Sequence, residues 1–246
     1  MKKLFAIISL FLSLNPLFAQ EGEDVGWVAR FGLAGGFNPS FVFPDIDPLN
    51  VEVKKMGLSE LSGSNLFLWG GGGYAYIMLI DNLRIGGIGL GGSTSSKGIV
   101  NGYNREVDYN FGLGGVTVEY TLPFIKSIAL SVGAIIGAGS QSIEVYQNKN
   151  DYSWSGIFGK VTSSGITFHD DVSYEITNTF FTIVPTLNLD VPINRFVALR
   201  FGGGYIFNFN SDWEVNNGRN ISGVFPELTA NKFFIQTGIY FGFFAF

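Results

Sequence analysis

The sequence predicts an all-β fold closed into an antiparallel, up-and-down transmembrane barrel of eight strands. Three observations predict it: strands that alternate with a period of two, connections that alternate between long and tight, and strand faces nearly free of charge. Composition agrees. The chain of 246 residues is 46% hydrophobic and 14% charged, with 34 Gly, 25 Phe and no Cys. That is neither a disordered chain nor a disulfide scaffold, and after residue 19 no apolar run is long enough for a membrane helix.

The first element is an export signal over residues 1–19. Lys2 and Lys3 give a basic start, Leu4 to Leu14 an apolar stretch, and Ala19 a small residue at the cleavage point. A retained anchor fits less well, because the apolar core is short and Gln20-Glu21 follows at once. Without Cys no lipid anchor can form. Cleavage after Ala19 leaves residues 20–246 as one barrel domain with 13 basic and 20 acidic side chains, a formal charge of −7. Such a chain has no electrostatic reason to bind nucleic acid.

The strands are expected at 25–37, 65–80, 82–95, 104–122, 126–146, 173–191, 195–213 and 231–246. In the sixth, Phe181, Ile183, Pro185, Leu187, Leu189 and Val191 share one face, with Thr182, Val184, Thr186, Asn188 and Asp190 on the other. The seventh and fifth are one-sided in the same way. The second strand contains Gly70 to Gly73 and has no readable phase. In the third and fourth, an apolar face continues only if one residue is skipped at Gly86-Gly87 and at Gly114-Gly115, which predicts bulges there. Between strands, 38–64, 147–172 and 214–230 are long and 96–103 is medium. Asp81, Pro123 to Ile125 and Pro192 to Asn194 are tight. A short helix is expected within 50–62, folding over or into the mouth.

A soluble sheet carries regular Lys, Glu and Asp on its wet face. Here the second face carries Gly, Ala, Ser, Thr and Asn, as expected when one face meets lipid and the other a confined interior. Trp27, Tyr120, Tyr205, Trp213, Tyr240 and Phe246 stand near strand ends, the place of aromatic girdles.

The strand phases also point Arg30, Arg84, Glu119, Asp190 and Arg200 inward, near the end that carries the tight turns. Unpaired ions in so narrow a bore would be costly, so these residues are expected to pair as a polar plug. Above them Gly89, Gly112, Gly133, Gly137, Gly202, Gly204 and Asn208 are expected to face inward, where small residues leave either a pocket open to the outside or a barrel contracted around them. No cofactor is implied. Gly87-Ile88-Gly89-Leu90-Gly91-Gly92 matches a dinucleotide-binding pattern, but no helix pattern follows and no acid stands about 20 residues on. His169, beside Asp170 and Asp171, is the only histidine. Adjacent residues on an extended segment point apart, which disfavours a catalytic base, and one His with no Cys leaves only carboxylates for a metal. Asp45-Ile46-Asp47 and Asn148 to Asp151 lack the spacing of a calcium loop.

The export signal, the eight one-sided Gly- and aromatic-rich strands, the alternating connections and the ending Phe243-Phe244-Ala245-Phe246 resemble the small outer-membrane β-barrels of Gram-negative-type bacteria, the porin-like and OmpA-type superfamily. The resemblance covers the whole mature chain and implies residence in the cell outer membrane. As partners it implies outer-membrane lipid or lipopolysaccharide, and the barrel-assembly machinery, with Tyr240, Phe244 and Phe246 as the C-terminal assembly signal. It implies a monomer with no catalysis and a structural or surface-recognition role carried by the external loops. The alternatives are a narrow porin-like channel for small apolar or uncharged solutes and a rim enzyme modifying lipid A.

Overall fold

A computed structural model describes residues 31–61, 65–77, 79–123, 128–149, 153–155, 171–209, 212–229 and 231–245. The strands are β1 (Phe31–Phe37), β2 (Ser40–Phe43), β3 (Leu66–Tyr76), β4 (Leu83–Val100), β5 (Tyr103–Thr121), β6 (Ala129–Asn148), β7 (Val172–Asn194), β8 (Val197–Phe209), β9 (Trp213–Val215), β10 (Arg219–Asn220) and β11 (Lys232–Ala245). The helices α1 (Asp47–Lys55) and α2 (Pro226–Thr229) join them. No helix among the described residues is long and apolar enough to cross a membrane.

The eleven segments make eight staves. β1 and β2 are one stave, because both pair with β11 and β3 in unchanged register. Only Pro39, which has no N–H, interrupts them, and Asn38 N–H to Gly70 O (2.8 Å) and Thr237 N–H to Pro39 O (2.9 Å) carry the ladder across. β9 and β10 form a small hairpin added to the upper end of β7. The ring runs from β1/β2 through β3 to β8 and closes through β11. Following paired residues once round from Leu66, through Val42, Phe234, Gly204, Thr186, Gly133, Glu119 and Arg84, leads back to β3 at Tyr76, ten residues on. This stagger tilts eight strands by roughly 40° and leaves a bore that side chains can fill.

The expected bulges are absent. β4 and β5 pair without a register shift through Gly86-Gly87 and Gly114-Gly115. The chemistry changes sides while the backbone keeps its parity. On the lower part of β5, Val116, Val118 and Tyr120 face out, with Thr117, Glu119 and Thr121 inside. Above the glycines Val107, Tyr109, Phe111 and Leu113 face in and are buried, and Glu106, Asp108 and Asn110 face out. β6 and β7 switch at the same level: Leu130 to Ala138 and Phe181 to Ile193 are apolar outside. Ser140, Ser142 and Glu144, and Thr179, Thr177 and Glu175, are polar outside above them. At ~3.3 Å per residue and a tilt of roughly 40°, these two apolar stretches span about 20–30 Å, bracketing the ~25 Å apolar band of membrane barrels.

The upper half therefore has a dry inside. Leu68, Leu90, Tyr109, Phe111, Phe180, Ile206 and Phe234 form its core, with Ile46, Leu49, Val53, Leu58 and Leu61 of the first loop and Trp213 and Leu228 of the last loop packed on top. α1 spans 47–55, earlier than expected, because Pro48 suits its first turn and Gly57, at φ +78°, ends it. The helix is held as a lid. Arg105 donates to Met56 O at its C-terminal end (2.6 Å), Ser96 Oγ to Ser59 O (2.6 Å), and Leu61 N–H to Asn50 Oδ1 (2.8 Å). The expected medium loop 96–103 is instead a two-residue turn, with Asn101 and Gly102 at φ +53° and +79°.

Some expected facings change too. Trp213 and Tyr240 are buried rather than in a girdle, whereas Tyr120 is exposed and Tyr205 packs edge-on against Phe207 and Phe233. Gly89 and Gly112 face outward. The inward glycines leave no room: a Cβ on Gly139 would lie 2.4 Å from the Phe180 ring, and one on Gly202 would meet the Asn188 amide. Trp27, Arg30, His169, Asp170 and Phe246 lie outside the described residues, as does the segment 150–152.

Candidate functional site: a closed polar layer in the bore

Four of the five charges expected inside do converge. Arg84 and Arg200 are 1% and 4% exposed, and Glu119 and Asp190 are 3% and 4%. Arg84 and Glu119 stand directly opposite on β4 and β5, and Asp190 and Arg200 do so on β7 and β8. Each arginine nevertheless serves both acids. Arg84 reaches Glu119 (2.6 Å) and Asp190 (2.5 Å). Arg200 grips Asp190 through Nε and Nη2 (2.7 and 2.9 Å) and Glu119 through Nη1 and Nη2 (3.2 Å each). Two positive and two negative charges cancel, which is what makes a desolvated group of ions tolerable.

Neutral side chains complete the layer. Asn188 Nδ2 donates to Glu119 (2.8 Å), Gln236 Nε2 to Asn188 Oδ1 (2.6 Å), Asn38 Nδ2 to Tyr240 Oη (2.7 Å), and Arg84 to the Ser131 hydroxyl. Tyr74 lies within 4.5 Å of the Arg84 guanidinium and 4.9 Å of that of Arg200, and Tyr240 within 4.7 Å of Arg200. Every one of the eight staves supplies at least one of these groups, so the layer extends across the whole bore. Sequence reasoning missed the neutral half of it. The Gly70 to Gly73 run hides the phase of Tyr74, and the sequence resemblance assigns Tyr240 to the C-terminal signal. Parity alone would have found Tyr240, because Ile239, Phe241 and Phe243 all face out. The strand backbone at Phe244 pairs with Gly32.

A second polar group ties the cap down. Tyr109 Oη donates to Gln141 Oε1 (3.0 Å), and Gln141 Nε2 to Leu228 O (2.9 Å). Lys232 Nζ donates to the same carbonyl (3.2 Å), and Asn178 Nδ2 to Asp212 O (2.9 Å).

Outside, above the apolar band, Asp108, Glu144 and Glu175 stand directly opposite one another across β5, β6 and β7. Burial, then Glu106 and Glu144, raise the Asp108 carboxyl above its ordinary range, against Lys97 and the Ser95 hydroxyl, which act the other way. The Tyr146 hydroxyl donates to Glu144 (2.5 Å) and is pushed up to about 12, first by that bond and then by burial. A carboxyl whose pKa rises on folding binds its proton more tightly when folded, so the fold gains as pH falls through that window and loses as pH rises out of it. Asp108→Asn is therefore expected to maintain or raise stability at pH 7, and the gain should vanish as pH approaches ~3.9. Urea unfolding of the refolded barrel at pH 7 and pH 4 checks this; a loss at pH 7 contradicts it.

No protein-family model matches the chain, and no curated protein does. Solved structures similar to it, each at 10% identity, include three bacterial proteins. The outer membrane protein OprG from Pseudomonas aeruginosa has a TM-score of 0.44, covering 88% of this chain and 98% of that one. Ail, the attachment invasion locus protein of Yersinia pestis, solved with the heparin analogue sucrose octasulfate, has 0.42, covering 87% and 97%. CarO2 of Acinetobacter baumannii has 0.40, covering 85% and 98%.

Proposed function

We propose that the chain is an integral outer-membrane barrel with a closed bore, exported and cleaved after Ala19, whose protruding wall and outer loops recognise other molecules at the cell surface. The observation that carries this reading is the reversal of face chemistry at mid-height. Apolar side chains face outward over a band of membrane thickness, and the same strands rise above it with polar groups outside and a capped apolar core within. Both described termini, at Phe31 and Ala245, lie at the end with the tight turns, so the long connections and the wall β4–β7 face the exterior. Outer-membrane lipid surrounds the band, the barrel-assembly machinery inserts the chain through its last strand, and the barrel works as a monomer without catalysis.

Two barriers in series argue against the channel alternative: the ionic layer below and the apolar core with its α1 lid above. Planar bilayers containing the refolded barrel are expected to show no unitary conductance steps in potassium chloride. Regular steps that disappear when Arg200 and Glu119 are replaced together would favour the channel. The reading as a rim enzyme depends on His169; His169→Ala is expected to leave the mass spectrum of lipid A unchanged.

A further inference from the structure

The polar outer face of β4–β6, immediately above the apolar band, has no role in closing the bore or holding the lid. Three features of it point to one kind of ligand. Two hollows open there. One, of about 400 Å³, is lined by Ser93, Asn110, Ser140 and Ser142. The other, of about 310 Å³, lies between Lys97, Glu106 and Tyr146. Their polar groups are held in place: Asn110 Nδ2 donates to Ser142 Oγ and to Glu144 (3.1 Å each), and Tyr146 to Glu144 from the other side. Hydroxyls, a fixed amide, carboxylates and a tyrosine ring are the groups that bind sugar hydroxyls and stack on sugar rings.

Charge narrows the choice. Glu106, Asp108, Glu144 and Glu175 share the face with Lys97, and Arg105, which also lines the second hollow, has its guanidinium bonded to Gln147 and Met56 O. The acids outnumber the cations, so an anionic ligand is disfavoured. The carboxylate row costs stability where it stands, and a ligand that supplies hydroxyl donors and no charge relieves it. Height narrows it further. The face begins where Ala138 gives way to Ser140 and Phe181 to Thr179, the level of a lipid headgroup. Below it the wall is recessed, because Gly87, Gly89, Gly91 and Gly114 face out without side chains. A Cβ on Gly89 would meet nothing within 4 Å, and one on Gly87, Gly91 or Gly114 only ordinary contacts, so the backbone does not demand these glycines.

We infer that this face binds the uncharged saccharide headgroup of a glycolipid in the surrounding leaflet, with the lipid chains lying in the glycine recess. The inference rests on the membrane reading above. The full mature barrel is folded into phosphatidylcholine vesicles containing either digalactosyl diacylglycerol or phosphatidylglycerol, and the lipid retained is weighed by native mass spectrometry. The glycolipid is expected to be retained about tenfold better than phosphatidylglycerol. Asn110→Ala with Tyr146→Ala should remove that preference, the scale of one or two hydrogen bonds, without changing heat-modifiable gel migration. Equal retention of the two lipids, or an unchanged preference in the double variant, overturns the inference. Failure to insert into vesicles overturns the membrane reading instead. In that case soluble digalactose, titrated against the folded barrel by calorimetry, decides the saccharide site alone: binding lost with the double variant supports it, and no binding overturns it.

Discussion

Arg84→Ala is expected to destabilise the barrel by about 3–5 kcal/mol, the scale for removing one partner from a buried ion group. The geometry gives the reason. Arg84 donates to both acids and lies over Tyr74, so alanine leaves Glu119 and Asp190 to share Arg200 alone in a cross-section that is 1–4% exposed. One negative charge would then be uncompensated at a depth that water does not reach. The balanced pair Arg84→Met with Glu119→Gln removes one charge of each sign and is expected to cost far less than the single change, because desolvation is relieved along with the attraction. Urea unfolding of the detergent-refolded protein, followed by the gel shift between folded and unfolded forms, measures both. Equal losses for the single and the balanced variant would mean that the layer contributes by shape and not by charge. Conductance tests the same layer from another direction: the balanced variant keeps the apolar core and lid, so it should remain closed.

The acid and base members of this layer were legible in the sequence because they lie below the level where the faces exchange chemistry. There the apolar face does point outward, and parity counted from it places Arg84, Glu119, Asp190 and Arg200 correctly. Above that level the rule that the apolar face meets lipid no longer holds. Val107, Tyr109, Phe111 and Leu113 rise out of the apolar band into a region where the interior is the only dry place, so the same oily alternation belongs inside. Taking one rule along the full strand forced a skip at Gly114-Gly115 that the hydrogen-bonded ladder does not contain. The length of the wall was hidden for a related reason. Asn101-Gly102 is a strong signal for a two-residue hairpin, yet Ser96 to Val100 reads as loop sequence, since a strand with water outside it and a small-residue interior has little hydrophobic contrast. Tyr74 was illegible because a run of four glycines has no side chains from which to read a phase. The lid over the mouth was foreseen as a short helix. The bonds that hold it there were not, because their donors, Arg105 to Met56 O and Ser96 to Ser59 O, are distant in sequence.

The exchange of faces can be tested on one strand with two substitutions. Ile183 and Thr177 both point outward from β7, six residues apart on the same side, but Ile183 stands among Phe181, Pro185 and Leu187, and Thr177 between Glu175 and Thr179. If lipid surrounds the lower stretch, Ile183→Arg places a guanidinium in hydrocarbon just below the headgroup level and is expected to cost about 1–2 kcal/mol, between the ~2–4 kcal/mol of the bilayer midplane and the ~0–1 kcal/mol of the interface. Thr177→Arg, already in water beside Glu175 and opposite Glu214 on β9, is expected to change stability by no more than about 0.5 kcal/mol. Folding into vesicles across a urea series separates them, since only a charge at membrane depth has to be desolvated. A soluble barrel would tolerate both arginines equally, because Ile183 is already 39% exposed and its side chain would simply exchange one solvated group for another. The difference between the two variants, more than either value alone, therefore reports where the bilayer ends on this wall, and with it the height at which β4–β7 begin to present their polar face to the outside.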